Sequence, residues 1–154
     1  MKVLVVFYSR DGHTRRAAEI IADTLKADID EVVDKKPRKG IFGFLKAGYD
    51  ATRGKTTEII FTKDPGKYEV VVVGTPVWNG RVTPAVRTYL MRNRRNIKRC
   101  VFFATCAGRA GKCLRQMRDL YGGDVLAERI ILRNKVASEV KTFAEELMKM
   151  INNP

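Results

Sequence analysis

Three short segments carry residue types that could hold a ligand: Ser9-Arg10-Asp11-Gly12-His13-Thr14, the stretch Thr75-Pro76-Val77-Trp78-Asn79-Gly80-Arg81, and Thr105-Cys106-Ala107-Gly108-Arg109-Ala110-Gly111. The first joins the apolar run Val3 to Tyr8 to a segment in which Ala17, Ala18, Ile20, Ile21 and Leu25 recur at helical spacing. A loop that ends a buried strand and opens a helix presents unpaired backbone N–H groups and the positive end of the helix dipole, which suits a phosphate. Ser9 and Thr14 add hydroxyls to the N–H groups of residues 10–14. The segment contains neither G-x-x-x-x-G-K-[ST] nor G-x-G-x-x-G, so the expected guest is a monophosphate rather than a polyphosphate or a dinucleotide. An ordinary strand-to-helix turn with a Ser or Thr cap would use the same residues. The second segment holds Trp78, the only tryptophan, as a stacking surface for a flat ring, with Asn79 and Gly80 to meet the ring's edge. The third is small and glycine-bearing, so its backbone can come close to a ligand. Taken together the three predict a phosphorylated planar cofactor.

The elements that must position these loops follow from hydrophobic periodicity. The first strand and helix lead to a short second strand over Asp28 to Val33 and then a basic loop, Lys35-Lys36-Pro37-Arg38-Lys39-Gly40. Ile41, Phe42, Phe44, Leu45 and Tyr49 predict one or two helical turns interrupted by Gly43 and Gly48, with Gly54 as the stop and a weak extended piece over Glu58 to Thr62. Tyr68 to Gly74 contains four consecutive valines, as a strand buried on both faces does. The Thr75–Gly80 loop follows, and Pro84 opens a helix to about Asn96. Cys100 to Thr105 is the next strand. A helix marked by Leu114, Met117 and Leu120 stops at Gly122-Gly123, and strand Val125 to Leu132 and helix Val136 to Ile151 complete the chain. Alternating strands and helices predict an α/β fold: one domain over residues 1–154, three-layered, with a doubly wound five-stranded parallel sheet. In such a sheet all the strand-ending loops reach the same edge, where ligands bind.

Composition bounds the rest. At 45% hydrophobic residues, the 154-residue chain can build a core without a disulfide or a metal. No run reaches the ~20 apolar residues of a membrane-spanning helix. Met1-Lys2 leads straight into a strand, without a secretory signal, and the cysteines (Cys100, Cys106 and Cys113) suit a reducing compartment, so a cytoplasmic location is expected. The net charge of +13 admits an acidic protein partner, nucleic acid or anionic small molecules.

The quoted motifs resemble those of flavodoxins and the wider flavodoxin-like FMN proteins. YSRDGHT is similar to the hydroxyl-rich loop after that family's first strand, GTPVWNGRVTPAV to the loop and helix after its third, and FFATCAGRAG to its third flavin loop. FGFLKAGYDATRGK resembles a segment of one subgroup. The resemblance implies the strand order 2-1-3-4-5, a bound FMN and one- or two-electron transfer. It implies that Ser9, Arg10, Asp11, Gly12, His13 and Thr14 hold the phosphate. Thr75, Pro76, Val77, Trp78, Asn79 and Gly80 would flank the ring, and Thr105, Cys106, Ala107, Gly108 and Gly111 would close its other side. Two features depart from the family: Ser9-Arg10 replaces a Thr-rich loop, and the chain is strongly basic where typical flavodoxins are acidic. YSRDGHT is also similar to the loop of flavodoxin-like protoporphyrinogen oxidases, which implies an enzyme instead of a carrier.

His13, the only histidine, would donate to the phosphate or sit exposed on the first helical turn. Cys106 and Cys113 are seven residues apart, which is no metal-ligand spacing, and no metal is expected. The basic clusters Lys35–Lys39, Arg92–Arg99 and Arg109, Lys112, Arg115 and Arg118 suit docking of an acidic redox partner protein, binding of NAD(P)H or another anion, or a solvated face. A nucleic-acid module is disfavoured because no recognised motif is present and aromatics do not interleave with the basic runs. A phosphoryl-accepting receiver of this topology would need carboxylates where the chain has Tyr8-Ser9 and Gly74-Thr75.

Overall fold

The structure, a computed structural model, describes residues 1–36, 38 and 40–153, with 41, 42 and 44 described through the backbone alone. In chain order the elements are β1 (Val3–Phe7), α1 (His13–Leu25), β2 (Asp28–Glu31), β3 (Val33–Asp34), α2 (Gly40–Thr52), β4 (Ile59–Ile60), β5 (Val70–Trp78), β6 (Arg81–Val82), α3 (Pro84–Asn93), β7 (Cys100–Cys106), α4 (Cys113–Tyr121), β8 (Val125–Leu132) and α5 (Val136–Asn152). The main sheet runs β2-β1-β5-β7-β8 with every one of these neighbours parallel. Without the two-residue strands this is the order 2-1-3-4-5 that the sequence resemblance implied.

Strand alternation divides the core between two faces. Leu4, Val6 and Tyr8 of the β1 segment join Val71, Val73, Phe102 and Ala104 beneath α2, α3 and α4, where Ala47, Val86, Tyr89 and Met117 are buried. Val3, Val5 and Phe7 join Val72, Val101 and Phe103 beneath α1 and α5, whose Ile21, Phe143 and Leu147 are buried. The uninterrupted Val70–Val73 run is required because both faces of β5 are covered. Each such side chain removed from water contributes about 1.5–3 kcal/mol, which offsets the entropy of ordering the chain.

Four expectations change. The second strand is shorter than 28–33: after Glu31, Val32 drops into the core with its N–H on Phe7 O at 2.8 Å, and Val33-Asp34 turns away to pair antiparallel with Ile59-Ile60. The helix at 40–52 is continuous, not interrupted. A Cβ on Gly48 would lie 2.7 Å from Asn79 Nδ2 and one on Gly43 2.6 Å from the Arg38 carbonyl carbon, so these glycines permit close approach rather than breaking the helix. Segment 75–78 is not loop but the last four of the nine residues of β5, and Cys106 likewise ends β7. Helix α3 stops at Asn93, whose Nδ2 donates to Tyr89 O at 2.9 Å. In the basic loop expected over 35–40, Pro37 and Lys39 lie outside the described residues.

Candidate functional site

Parallel register delivers the strand ends to one rim. Phe7 lies opposite Gly74 on one side and Glu31 on the other, Pro76 opposite Thr105, and Cys106 opposite Leu132. The segments after β1, β5, β7 and β8 therefore emerge side by side.

The first loop is built around Gly12. Its N–H donates to Ser9 Oγ at 3.1 Å, its carbonyl accepts from Arg16 N at 3.0 Å, and it caps α1 at φ 96°, a left-handed conformation that a Cβ disfavours. No described side chain caps α1, so its first-turn N–H groups face the rim without a side-chain acceptor. Thr14 is buried and its Oγ1 shares a 2.7 Å hydrogen bond with Thr105 Oγ1, which ties the start of α1 to the end of β7. Ser9, Arg10, Asp11, His13, Thr14, Pro76, Thr105 and Arg133 enclose a narrow niche at this helix start. The Arg10 side chain is largely covered, with Nη2 3.5 Å from Gly40 O and Nε 3.9 Å from Asp11 Oδ1.

The second segment is a β-hairpin. β5 pairs with β6 through Val77–Val82 and Trp78–Arg81, and Asn79 and Gly80 between them have φ 49° and 70°, the paired positive values of a type I′ turn. Trp78 is only 7% exposed: Tyr8 meets it edge-on at 5.6 Å between centroids, and the Arg38 guanidinium lies 5.9 Å from its ring. It therefore forms a fixed wall rather than a free plate. Val77, Trp78 and Asn79 line a cleft of about 350 Å³ with Arg10, Asp11, Ala107 and Arg133.

The remaining expected residues support this frame from behind. Thr75 Oγ1 donates to Pro76 O at 2.8 Å and lies 3.0 Å from Thr83 Oγ1, the cap of α3, so its hydroxyl is spent inside the core. Gly80 and Gly111 meet each other: a Cβ on Gly111 would lie 2.7 Å from Gly80 Cα, and Lys112 N donates to Gly80 O at 2.7 Å. That contact locks the hairpin onto the third loop. Burial pushes the Cys106 thiol up, so it does not offer a thiolate near neutral pH. Gly108 is exposed, with nothing within 4 Å of an added Cβ.

Two walls of the cleft were not anticipated. Arg133 follows β8, and the parallel topology that delivers the other three loops to the rim delivers it as well. Leu45, Ala47 and Gly48 come from α2. Asn79 Nδ2 lies 3.4 Å from Thr52 Oγ1, and buried Arg38 donates from Nη1 to Asp50 Oδ2 at 2.6 Å and from Nε to Asp34 Oδ2 at 3.0 Å. These contacts fasten α2 beside the hairpin. Burial works to raise the Asp50 carboxyl, but hydrogen bonds from Arg38 and Lys46 outweigh it and hold Asp50 below the usual carboxylate range.

A sequence model of the family described as Flavodoxin matches residues 2–147. The chain belongs to the flavodoxin family. Among solved flavodoxin-like structures, it is similar to a flavoprotein from Lactobacillus acidophilus in complex with FMN: TM-score 0.75, 23% identity, covering 88% of this chain and 96% of that one. It is also similar to a WrbA-like flavodoxin from Agrobacterium tumefaciens: TM-score 0.67, 15% identity, covering 98% and 95%. These likenesses concern the fold. Among curated proteins, an NAD(P)H dehydrogenase (quinone) of Cupriavidus metallidurans is 27% identical over 89 residues, 58% of this chain. The chain spans about half the length of that relative, 45% of it. No described helix is long and apolar enough to cross a membrane.

Proposed function

We propose that this flavodoxin-family chain binds FMN non-covalently at the rim and works in electron transfer. What supports this most is one juxtaposition. The uncapped start of α1 opens on a niche that shares Arg10, Asp11 and Arg133 with the 350 Å³ cleft beside Val77, Trp78 and Asn79. A phosphate site next to a slot bounded by an aromatic side chain suits a phosphorylated flat ring, and the cleft falls in the size range of small-ligand pockets, about 300–1,000 Å³.

Ser9 Oγ and the backbone N–H groups of His13 and Thr14 would hold the phosphate, with Gly12 shaping the turn and Arg10 and Arg133 closing over it as cations. Val77, Trp78 and Asn79 would flank the ring on one side and Ala107 on the other, while Leu45, Ala47 and Gly48 of α2 exclude water from its edge. Thr75, Gly80, Cys106 and Gly111 keep the loops in place without lining the cleft. When bound, FMN supplies one- or two-electron chemistry, and the protein's part is orientation and electrostatics. With a net charge of +13, an acidic redox protein is the partner this reading favours, because opposite charge steers encounter.

The purified protein should be yellow, or become so on adding FMN, with absorbance bands near about 375 and 450 nm. A colourless protein that takes up no FMN would end the proposal. A second reading, an NAD(P)H-dependent oxidoreductase, draws on the NAD(P)H dehydrogenase (quinone) relative. Rapid bleaching of the flavin by NADH or NADPH alone would favour it over the carrier.

A further inference from the structure

A second and larger cavity lies on the other side of Arg10, at the carboxyl ends of β1 and β2. Its volume is about 530 Å³, and its walls are Tyr8, Ser9, Arg10, Arg15, Glu31, Val32, Val33, Asp34, Lys35, Lys36 and Arg38. Five of these are cations and two are carboxylates. Arg15 pairs with Glu31 at 2.5 Å, and Asp34 is held by Arg38. Lys35 and Lys36 are about half exposed, and their only ion pairs among the described residues are loose: Glu58 at 3.5 Å and Asp50 at 3.9 Å. The cavity is therefore positive, with an apolar floor of Val32 and Val33.

Arg38 supplies the more pointed observation. Its side chain is 3% exposed, with Nε given to Asp34 and Nη1 to Asp50. Its third nitrogen, Nη2, is buried with no hydrogen-bond partner among the described residues. A buried N–H left unmade is costly, and a charged donor more so, and Arg38 is one of the residues that wall this cavity. Tyr8 adds a phenol. Burial and then the Asp34 carboxylate push it up to about 12, so it remains a donor at neutral pH.

We propose that this cavity is a second ligand site, for a small polyanion that carries phosphate or carboxylate groups on an apolar body. The Arg38 guanidinium and the Tyr8 hydroxyl would draw one anionic group, Lys35 and Lys36 a second, and the apolar part would lie on Val32 and Val33. The site adjoins the proposed FMN site and shares Ser9 and Arg10 with it, but Lys35, Lys36 and Arg38, which would hold the polyanion, line only this cavity. Tyr8 and Arg38, both in this cavity's wall, contact the Trp78 ring that walls the cleft.

Calorimetric titration of the FMN-loaded protein with NADP⁺ and, separately, with trimesate tests the assignment. If the protein takes up no FMN, the same titrations on the protein as purified keep the two proposals apart. Lys35→Ala with Lys36→Ala removes the exposed cations of the site, and from the core takes only the loose 3.9 Å pair of Lys36 with Asp50, which keeps Arg38 and Lys46. Arg94→Ala with Arg95→Ala removes the same charge from exposed positions just before β7, at the opposite end of the sheet. At least one probe should bind the wild type with a dissociation constant below about 1 mM. It should weaken at least about fivefold in the first variant and less than about twofold in the second, as for local rather than general electrostatics. Tighter binding of NADP⁺ assigns the phosphate source, and tighter binding of trimesate the carboxylate source. Failure of both probes to bind, weakening below fivefold in the first variant, or equal weakening in the two variants would overturn the site.

Discussion

Arg38→Met is the substitution that most directly tests how the cleft is held. Arg38 bridges two carboxylates that have almost no access to water: Asp50, with 0% side-chain exposure, and Asp34, with 2%. Methionine keeps much of the length and apolar bulk but leaves both charges without the guanidinium. Removing one member of a buried ion pair typically costs about 3–5 kcal/mol, because the other is stranded in low dielectric. Here the cost should fall near the bottom of that range, about 3 kcal/mol. Lys46 Nζ remains 3.3 Å from Asp50 Oδ1, and Asp34 Oδ1 still accepts from Lys36 N at 2.9 Å and Thr57 Oγ1 at 2.8 Å. For a chain of this size that corresponds to a fall in Tm of roughly 6–12 °C. The effect should depend on pH. Asp50 titrates below its unfolded value, so in the wild type it contributes stability that is full above about pH 4 and is lost as pH falls through the lower folded value. The variant lacks much of that depression, so the gap between the two proteins should be widest at pH 7 and narrow by up to about 1 kcal/mol near pH 3. Urea unfolding followed by circular dichroism at both pH values measures it. A variant as stable as wild type at pH 7, or a gap that widens on acidification, would refute the reasoning.

Two further outcomes are expected. Gly111→Ala should destabilise by about 2–4 kcal/mol and weaken FMN uptake, because its Cβ would meet Gly80 backbone at 2.7 Å and its φ is 52°. Gly108→Ala, with open space around it, should stay within about 0.5 kcal/mol of wild type, and equal urea midpoints for the two variants would contradict the contact. Cys100, Cys106 and Cys113 are all buried, and burial raises all three thiols, Cys113 to about 12. Native protein at pH 8 should therefore resist iodoacetamide, as mass spectrometry would show, and incorporate three adducts only when unfolded. Stoichiometric labelling of the folded chain would refute the burial.

The alternation of strands and helices was readable before the fold because that information is local and periodic, whereas the strand order came only from the family resemblance. The four valines of β5 and the alternation of Leu4, Val6 and Tyr8 against Val3, Val5 and Phe7 state which strands are covered on both faces. Parallel topology then sends residues 9–14, 75–80 and 105–111 to one rim, so their nearness follows from connectivity alone.

Three matters depended on contacts between segments distant in the chain. Thr75 and Trp78 carry the same residue types whether they line a ligand or pack inward. Only the placement of Thr83 and of Tyr8 with Arg38 shows that the Thr75 hydroxyl is spent internally and that Trp78 is clamped. Gly43 and Gly48 look like helix breakers because glycine weakens an isolated helix, by about 1 kcal/mol each relative to alanine. The continuous α2 exists because Arg38, Asn79 and the buried Ala47 and Ala51 need close approach at those positions, and packing outweighs the intrinsic preference. The polyanion cavity was invisible for the same reason. A run of lysines and arginines records charge, which is additive along the chain, but whether Arg38 retains an unmade N–H depends on how many acceptors the folded chain brings to it. Composition and periodicity thus determined the layers and the ligand edge, while the division of polar groups between internal partners and open sites was decided only when remote segments met.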